Sequence, residues 1–131
     1  CAGHCAGVMA DFALDHVQMG MPVGGEGAAR AFYGDLLGLE ELPKPTDIAA
    51  RGGCWFRLGA LQLHLGVEAD FRPAKKAHVA LTTATLDDVR VRLAAAGHMV
   101  REDVPVDGRC RFFTDDPFGN RMEFMDRMAG I

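Results

Sequence analysis

Leu14-Asp15-His16-Val17-Gln18-Met19 and Lys76-Ala77-His78-Val79-Ala80-Leu81 read alike, with His16 answered by His78, and that likeness decides the fold. Each alternates apolar with polar or small side chains, the two-residue period of a half-buried strand. Each is followed by a helical pattern. The first covers residues 26–37, where Ala29, Phe32, Tyr33, Leu36 and Leu37 fall on one face. The second covers residues 86–96, with Val89, Leu93 and Ala96 at helical spacing. Thr85-x-x-Asp88 resembles a capping box, with Asp in place of the usual Glu or Gln. Gly38 and Gly97, at matching places in the two copies, supply the left-handed residue that ends a helix.

Working outward, each helix leads to a short strand, a turn-rich stretch and a hairpin. The first hairpin pairs Cys54-Trp55-Phe56-Arg57 with Leu61-Gln62-Leu63-His64-Leu65. The second pairs Arg111-Phe112-Phe113-Thr114 with Arg121-Met122-Glu123-Phe124-Met125 through Asp115-Asp116-Pro117-Phe118-Gly119-Asn120. Pro117 and Gly119-Asn120 provide the backbone angles of a tight turn. The order is therefore βαβββ, twice: module 1 over about residues 12–66 and module 2 over about 76–126, joined by a linker broken at Phe71-Arg72-Pro73. Neither half can bury both faces of four strands alone, so the modules are expected to pair. The expected class is α+β, with two tandem modules forming an open, barrel-like curved sheet around a central cavity.

Composition sets the frame for function. The 131 residues carry 14 basic and 18 acidic side chains, a formal charge of −4, which disfavours a nucleic-acid partner. Apolar residues make up 49% and charged residues 24%, the balance of a folded domain rather than a disordered chain. No apolar run approaches the ~18 residues of a membrane span, so a cytoplasmic protein with no membrane partner is expected. Residues 1–8 read as a tag or upstream segment, expected to be disordered, ahead of a single domain over 9–131. Cys1, His4 and Cys5 within it fit no common zinc spacing. Cys54 and Cys110 are read as free thiols without a chemical role.

Strand parity gathers the chemistry. His16 and Gln18 oppose Val17 and Met19; Gln62 and His64 oppose Leu61, Leu63 and Leu65. His78 and Ala80 oppose Ala77, Val79 and Leu81, while Arg121, Glu123 and Met125 oppose Met122 and Phe124. Four times the ligand-type residue lies opposite the face that packs under a helix. His16 matches His78 across the repeat, and His64 matches Glu123 by the same spacing that relates Gly38 to Gly97. His16, His64, His78 and Glu123 are thus expected to hold a divalent metal ion. Imidazole and carboxylate donors suit nickel, cobalt, zinc, manganese or iron(II), with positions left open for substrate. Trp55, Phe56, Phe112 and Phe113 are candidate walls, of which alternation lets about half face inward. Arg57, Arg111 and Arg121 are candidates for an anionic substrate group, and only Arg121 is assigned the strand parity of a ligand. The expected substrate contacts are Arg121, Phe56, Trp55 and Phe112. His98, after a helix-ending glycine, is expected to be surface.

These residues resemble the vicinal oxygen chelate superfamily, which includes glyoxalase I, bleomycin-resistance proteins and extradiol dioxygenases. The resemblance runs from about Phe12 to Asp126. It rests on Leu14-Asp15-His16-Val17, on Ala29-Arg30-Ala31-Phe32-Tyr33-x-x-x-Leu37-Gly38-Leu39, and on Asp116-Pro117-Phe118-Gly119-Asn120-Arg121-Met122-Glu123. It implies two βαβββ modules around a metal, with His16, His78 and Glu123 at ligand positions. It also implies Glu123 as general base and a homodimer. His64 stands where glyoxalase I enzymes usually carry Glu, so the site is one negative charge short of that pattern. The leading expectation is a metal-dependent isomerase or lyase acting on a small molecule with vicinal oxygens. The alternatives are an extradiol-type ring-cleaving dioxygenase, a fosfomycin-type thiol transferase and a non-catalytic drug-binding resistance protein.

Overall fold

The computed structural model describes residues 10–128. Cys1, His4, Cys5 and the segment read as upstream lie outside them. Module 1 contains β1 (His16–Met21), a helix α1 beginning at Glu26–Ala29 and continuing through Arg30–Leu36, then β2 (Glu41–Leu42), the short helix α2 (Thr46–Ala49), β3 (Cys54–Leu58) and β4 (Leu61–Val67). Module 2 contains β5 (Val79–Thr83), α3 (Leu86–Ala95), β6 (Arg101–Val106), β7 (Arg109–Asp115) and β8 (Arg121–Asp126). The one-turn helix α2 is the element that periodicity did not foresee.

Each module forms its own four-stranded sheet, ordered β1-β4-β3-β2 and β5-β8-β7-β6. The first strand of each lies parallel to the last, and the remaining pairs are antiparallel. Register confirms the repeat. Gln18 stands opposite His64, and Ala80 stands opposite Glu123. The curved sheets stay open and do not close into one barrel.

The helix-facing sides of both sheets share one core. Tyr33 and Phe32 on α1, Phe56 on β3, Leu86, Val89 and Leu93 on α3, and Phe112 and Phe124 on β7 and β8 belong to a single buried cluster. Each such side chain contributes about 1.5–3 kcal/mol on leaving water. From Arg30 to Leu36 the helix α1 widens to π geometry, with the Leu37 amide reaching the Phe32 carbonyl at 2.9 Å. A wider turn sets successive side chains closer together around the helix, which lets the neighbours Phe32 and Tyr33 both point into the core.

Two helix signals fared differently. Gly38 and Gly97 take φ of 78° and 87°, the left-handed stop that was expected. Thr85 does precede α3, but it makes no side-chain cap bond. Thr83 Oγ1 instead accepts the Thr85 amide at 3.1 Å and sits 3.2 Å from its hydroxyl, so the expected pairing with Asp88 does not form.

The loop between β7 and β8 fastens the modules together. Asp116 is buried; its Oδ1 accepts the amides of Phe118 and Asn120, at 2.9 and 2.8 Å. Its Oδ2 accepts the Tyr33 hydroxyl at 2.6 Å and the Asn120 side-chain amide at 2.9 Å. Asn120 also donates to the Gly20 carbonyl of β1 at 2.8 Å. The Asp116–Asn120 signature is therefore a structural clasp across the two halves. Burial first, then the Asp116 charge, pushes the Tyr33 hydroxyl far above its ordinary pKa, so it remains a donor.

Cys54 is buried and Cys110 exposed, both as free thiols. Among the described residues, no helix is long and apolar enough to cross a membrane.

Candidate functional site

The polar faces carry two matched clusters. In module 1, the His16 and His64 rings stack at 4.3 Å between centroids, and Trp55 covers the other face of His64 at 4.1 Å and 3°. Trp55 reaches His64 because the two are partners in the β3–β4 register. Burial first, then the nearby His16, pulls the His64 pKa below its ordinary value. It is therefore held in the neutral form able to donate a lone pair to a cation.

In module 2, His78 Nε2 lies 2.9 Å from Glu123 Oε1, while Arg111 donates to Glu123 Oε2 at 3.2 Å. The Glu123 side chain is 7% exposed and that of His78 28%. A carboxylate this deep stays in place only with such partners. Phe113, opposite Glu123 in the β7–β8 register, meets the His78 ring edge-on at 5.2 Å. Phe113 with Glu123 thus repeats Trp55 with His64.

The donors fit a divalent metal ion. His16 Nδ1 faces the Asp15 carboxylate at 2.9 Å, and His78 Nδ1 faces the Lys76 carbonyl at 3.0 Å. Ligating histidines are oriented this way, with one nitrogen anchored on an oxygen and the other left as the donor. The 2.9 Å between His78 Nε2 and Glu123 Oε1 also suits two donors that share one ion at about 2.1 Å each. The sequence leaves open whether the four converge within one chain or across two, and within one chain they do not. Among the described residues, no three His, Cys, Asp or Glu side chains come together as a metal-holding group. The chain presents two separate pairs, His16 with His64 and His78 with Glu123.

The expected aromatic contacts need correction. Phe56 and Phe112 are both 0% exposed and packed in the core, Phe56 near Tyr33 at 5.6 Å and Phe112 on Phe124 at 5.5 Å. Alternation sends their neighbours Trp55 and Phe113 to the polar face instead. Arg111 also faces Glu123, a place that the parity of the sequence assigns to Arg121 alone. Counting outward from the pairing of Asp115 with Arg121 puts Phe113 beside Glu123 and Arg111 beside Met125. That was the signal available in the sequence. Arg57 pairs with Glu40 at 3.1 Å on the surface. His98 is half-buried, edge-on to Phe32 at 4.8 Å.

A cleft of about 310 Å³ opens where β1, the linker and the start of β5 meet, with His78 and Arg121 in its wall. Arg121 lies over the Phe113 ring at 4.1 Å, and its NH1 donates to the Lys75 carbonyl at 3.2 Å.

Comparison with known proteins agrees with this architecture. The family model described as Glyoxalase/Bleomycin resistance protein/Dioxygenase superfamily matches residues 13–124. The crystal structure of a protein assigned to the glyoxalase family, from Bacillus anthracis, is similar at 45% identity and a TM-score of 0.85, over 92% of this chain and 100% of that one. The lactoylglutathione lyase of Agrobacterium tumefaciens shares the fold at 21% identity and a TM-score of 0.65, over 90% of this chain and 95% of its own. The fosfomycin resistance protein FosX of Listeria monocytogenes does so at 13% identity and 0.68, over 93% and 97%. No curated protein matches the chain.

Proposed function

The chain belongs to the Glyoxalase/Bleomycin resistance protein/Dioxygenase superfamily, and from that membership we propose that it is a metal-dependent enzyme of isomerase or lyase type. Its substrate is a small molecule with two neighbouring oxygens. His16, His64, His78 and Glu123 hold a divalent ion, with the two half-sites brought together in a homodimer: His16 and His64 of one protomer face His78 and Glu123 of its partner. The observation that carries this reading is the His78–Glu123 contact of 2.9 Å, matched across the repeat by stacked His16 and His64. A bound divalent ion supplies Lewis-acid polarisation of the substrate oxygens.

The chain's own groups do the rest. Glu123 would take the proton from the carbon that bears the substrate hydroxyl and return it to the neighbouring carbonyl carbon, acting as general base and then general acid, while the hydroxyl proton passes to the former carbonyl oxygen by exchange with water. Arg111, on Glu123 Oε2, fixes the carboxylate's orientation. Asp15 and Lys76 hold the two outer imidazoles in their tautomers. Trp55 and Phe113 wall the site and keep water from the reacting carbons.

Two measurements test this. Full-length protein is titrated with nickel, cobalt, zinc and manganese by calorimetry and, anaerobically, with iron(II). His78→Ala is expected to weaken binding at least about tenfold, whereas His98→Ala leaves it unchanged. His16→Ala and His78→Ala are then refolded together. In a shared-site dimer the mixture regains about a quarter of the wild-type sites, because half the dimers are mixed and each of these keeps one intact site. No recovery, with tight binding retained by both single variants, overturns the assignment. Turnover of a hemithioacetal fits the isomerase; oxygen uptake on a catechol with iron(II), or thiol addition to an epoxide, replaces it with the corresponding alternative.

A further inference from the structure

We infer that Arg121 is an oxyanion-binding residue, so that the substrate of the site proposed above carries a carboxylate or phosphate group lodged in the cleft beside His78. The inference rests on that reading for its substrate but on separate observations for its binding. Of the neighbouring arginines, Arg101 is matched bidentately to Asp115 and Arg111 lies against Asp103 and Glu123, while Arg109, whose Nε is also buried without a partner, sits at the start of β7 and does not line the cleft. Among the described residues Arg121 meets no carboxylate. Its NH1 donates to one backbone carbonyl, and its Nε is buried without a partner. A buried donor left unmatched costs about 1–3 kcal/mol, more when charged, and such exceptions call for an explanation.

The side chain is nevertheless held in place. Its guanidinium rests on the Phe113 ring at 4.1 Å, and the Lys75 carbonyl fixes one end. Stacking on an aromatic face anchors a planar cation while leaving its in-plane N–H groups available. A guanidinium fork matches carboxylate and phosphate oxygens in pairs, which a lysine ammonium cannot do.

Position completes the case. The same Phe113 ring meets His78 edge-on at 5.2 Å, so the cation lies one ring away from the His78–Glu123 pair. The cleft of about 310 Å³ that both Arg121 and His78 line holds a small anion with room for the carbons that join it to the reacting oxygens. Asn120 and Gln18 add amide groups to its wall, while exposed Glu68 and Arg72 contribute one charge of each sign. The cleft therefore has a net positive wall, centred on Arg121.

The test is an NMR titration of the full-length, metal-free protein with pyruvate, inorganic phosphate and uncharged methyl pyruvate, following the Arg121 Nε–H resonance. Pyruvate or phosphate is expected to shift it saturably, the tighter of the two naming the anion, and methyl pyruvate is not. Arg121→Gln should weaken anion binding about tenfold or more, and Arg121→Lys should recover little of it. Metal affinity, measured separately on Arg121→Gln, stays at the wild-type value. Loss of metal binding in the wild type therefore sinks the enzyme reading while the anion titration stands or falls by itself. An Nε–H signal unmoved by either anion overturns the inference, and so does an Arg121→Lys variant that binds as tightly as wild type.

Discussion

Tyr33 and Asp116 show how much one pair of side chains decides. They come from different modules, far apart in the chain, and meet at 2.6 Å in the core. Tyr33→Phe keeps the ring and removes the donor from a buried carboxylate; it is expected to cost about 1–3 kcal/mol in urea unfolding. A loss under about 0.5 kcal/mol shows that the Phe118 and Asn120 donors satisfy Asp116 without Tyr33. Trp55, the one tryptophan of the chain, reports on the other cluster because it lies flat on His64. Metal binding at His16 and His64 is expected to change its emission, and unchanged emission at saturating metal removes this half-site from the proposal. Parity in the sequence placed His16, His64, His78 and Glu123 on polar faces. It could not choose between Trp55 and Phe56 or between Phe112 and Phe113, because both members of each pair are large and apolar. Only cross-strand register, which puts Trp55 on His64 and Phe113 on Glu123, makes the choice.

At the scale of elements, the entry to β3 depends on contacts that strand propensity does not describe. Gly53 has φ of 86°, and a Cβ there drives into the Leu65 carbonyl oxygen of β4. Gly53→Ala is expected to destabilise by at least about 1–3 kcal/mol, the cost of the left-handed backbone alone, read as a lowered thermal midpoint. Glu26, at the start of α1, accepts the Gly53 amide at 2.9 Å. That bond, followed by its own backbone amide and then the charges of Arg30 and Lys44, holds the Glu26 carboxyl below its ordinary range despite partial burial. The folded state thus favours the ionised form. Its contribution is fully present above the unfolded pKa and is lost as pH falls through the lower folded value. Glu26→Gln should therefore lose less stability than wild type between pH 6 and pH 3 in urea unfolding. Equal losses mean that the Gly53 contact does not couple to folding. Helix and strand periods, with the glycine stops, were legible because they are local. The π geometry of α1 and the one-turn α2 were not, since neither has a period long enough to register.

For the whole molecule, the decisive fact is that one shared core joins the helix-facing sides of both sheets while, among the described residues, the ligand-type side chains remain as two separate pairs. If a second copy completes them, sedimentation at micromolar concentration should show a dimer. Chelator is expected to lower its thermal midpoint, since a ligand bound only to the folded state stabilises it by mass action. A monomer that binds metal with full affinity rules out the shared-site arrangement. The repeat, its α+β class, the matched spacing of its two copies and the face that His16, His64, His78 and Glu123 occupy follow from the sequence alone, because periodicity and glycine placement are properties of neighbouring residues. Which faces meet, that Trp55 lies beside His64 and Phe113 beside Glu123, and that Asp116 to Asn120 clasps the modules were decided by tertiary structure. These depend on pairings between distant parts of the chain, fixed by the burial of a common core, and no local pattern encodes them.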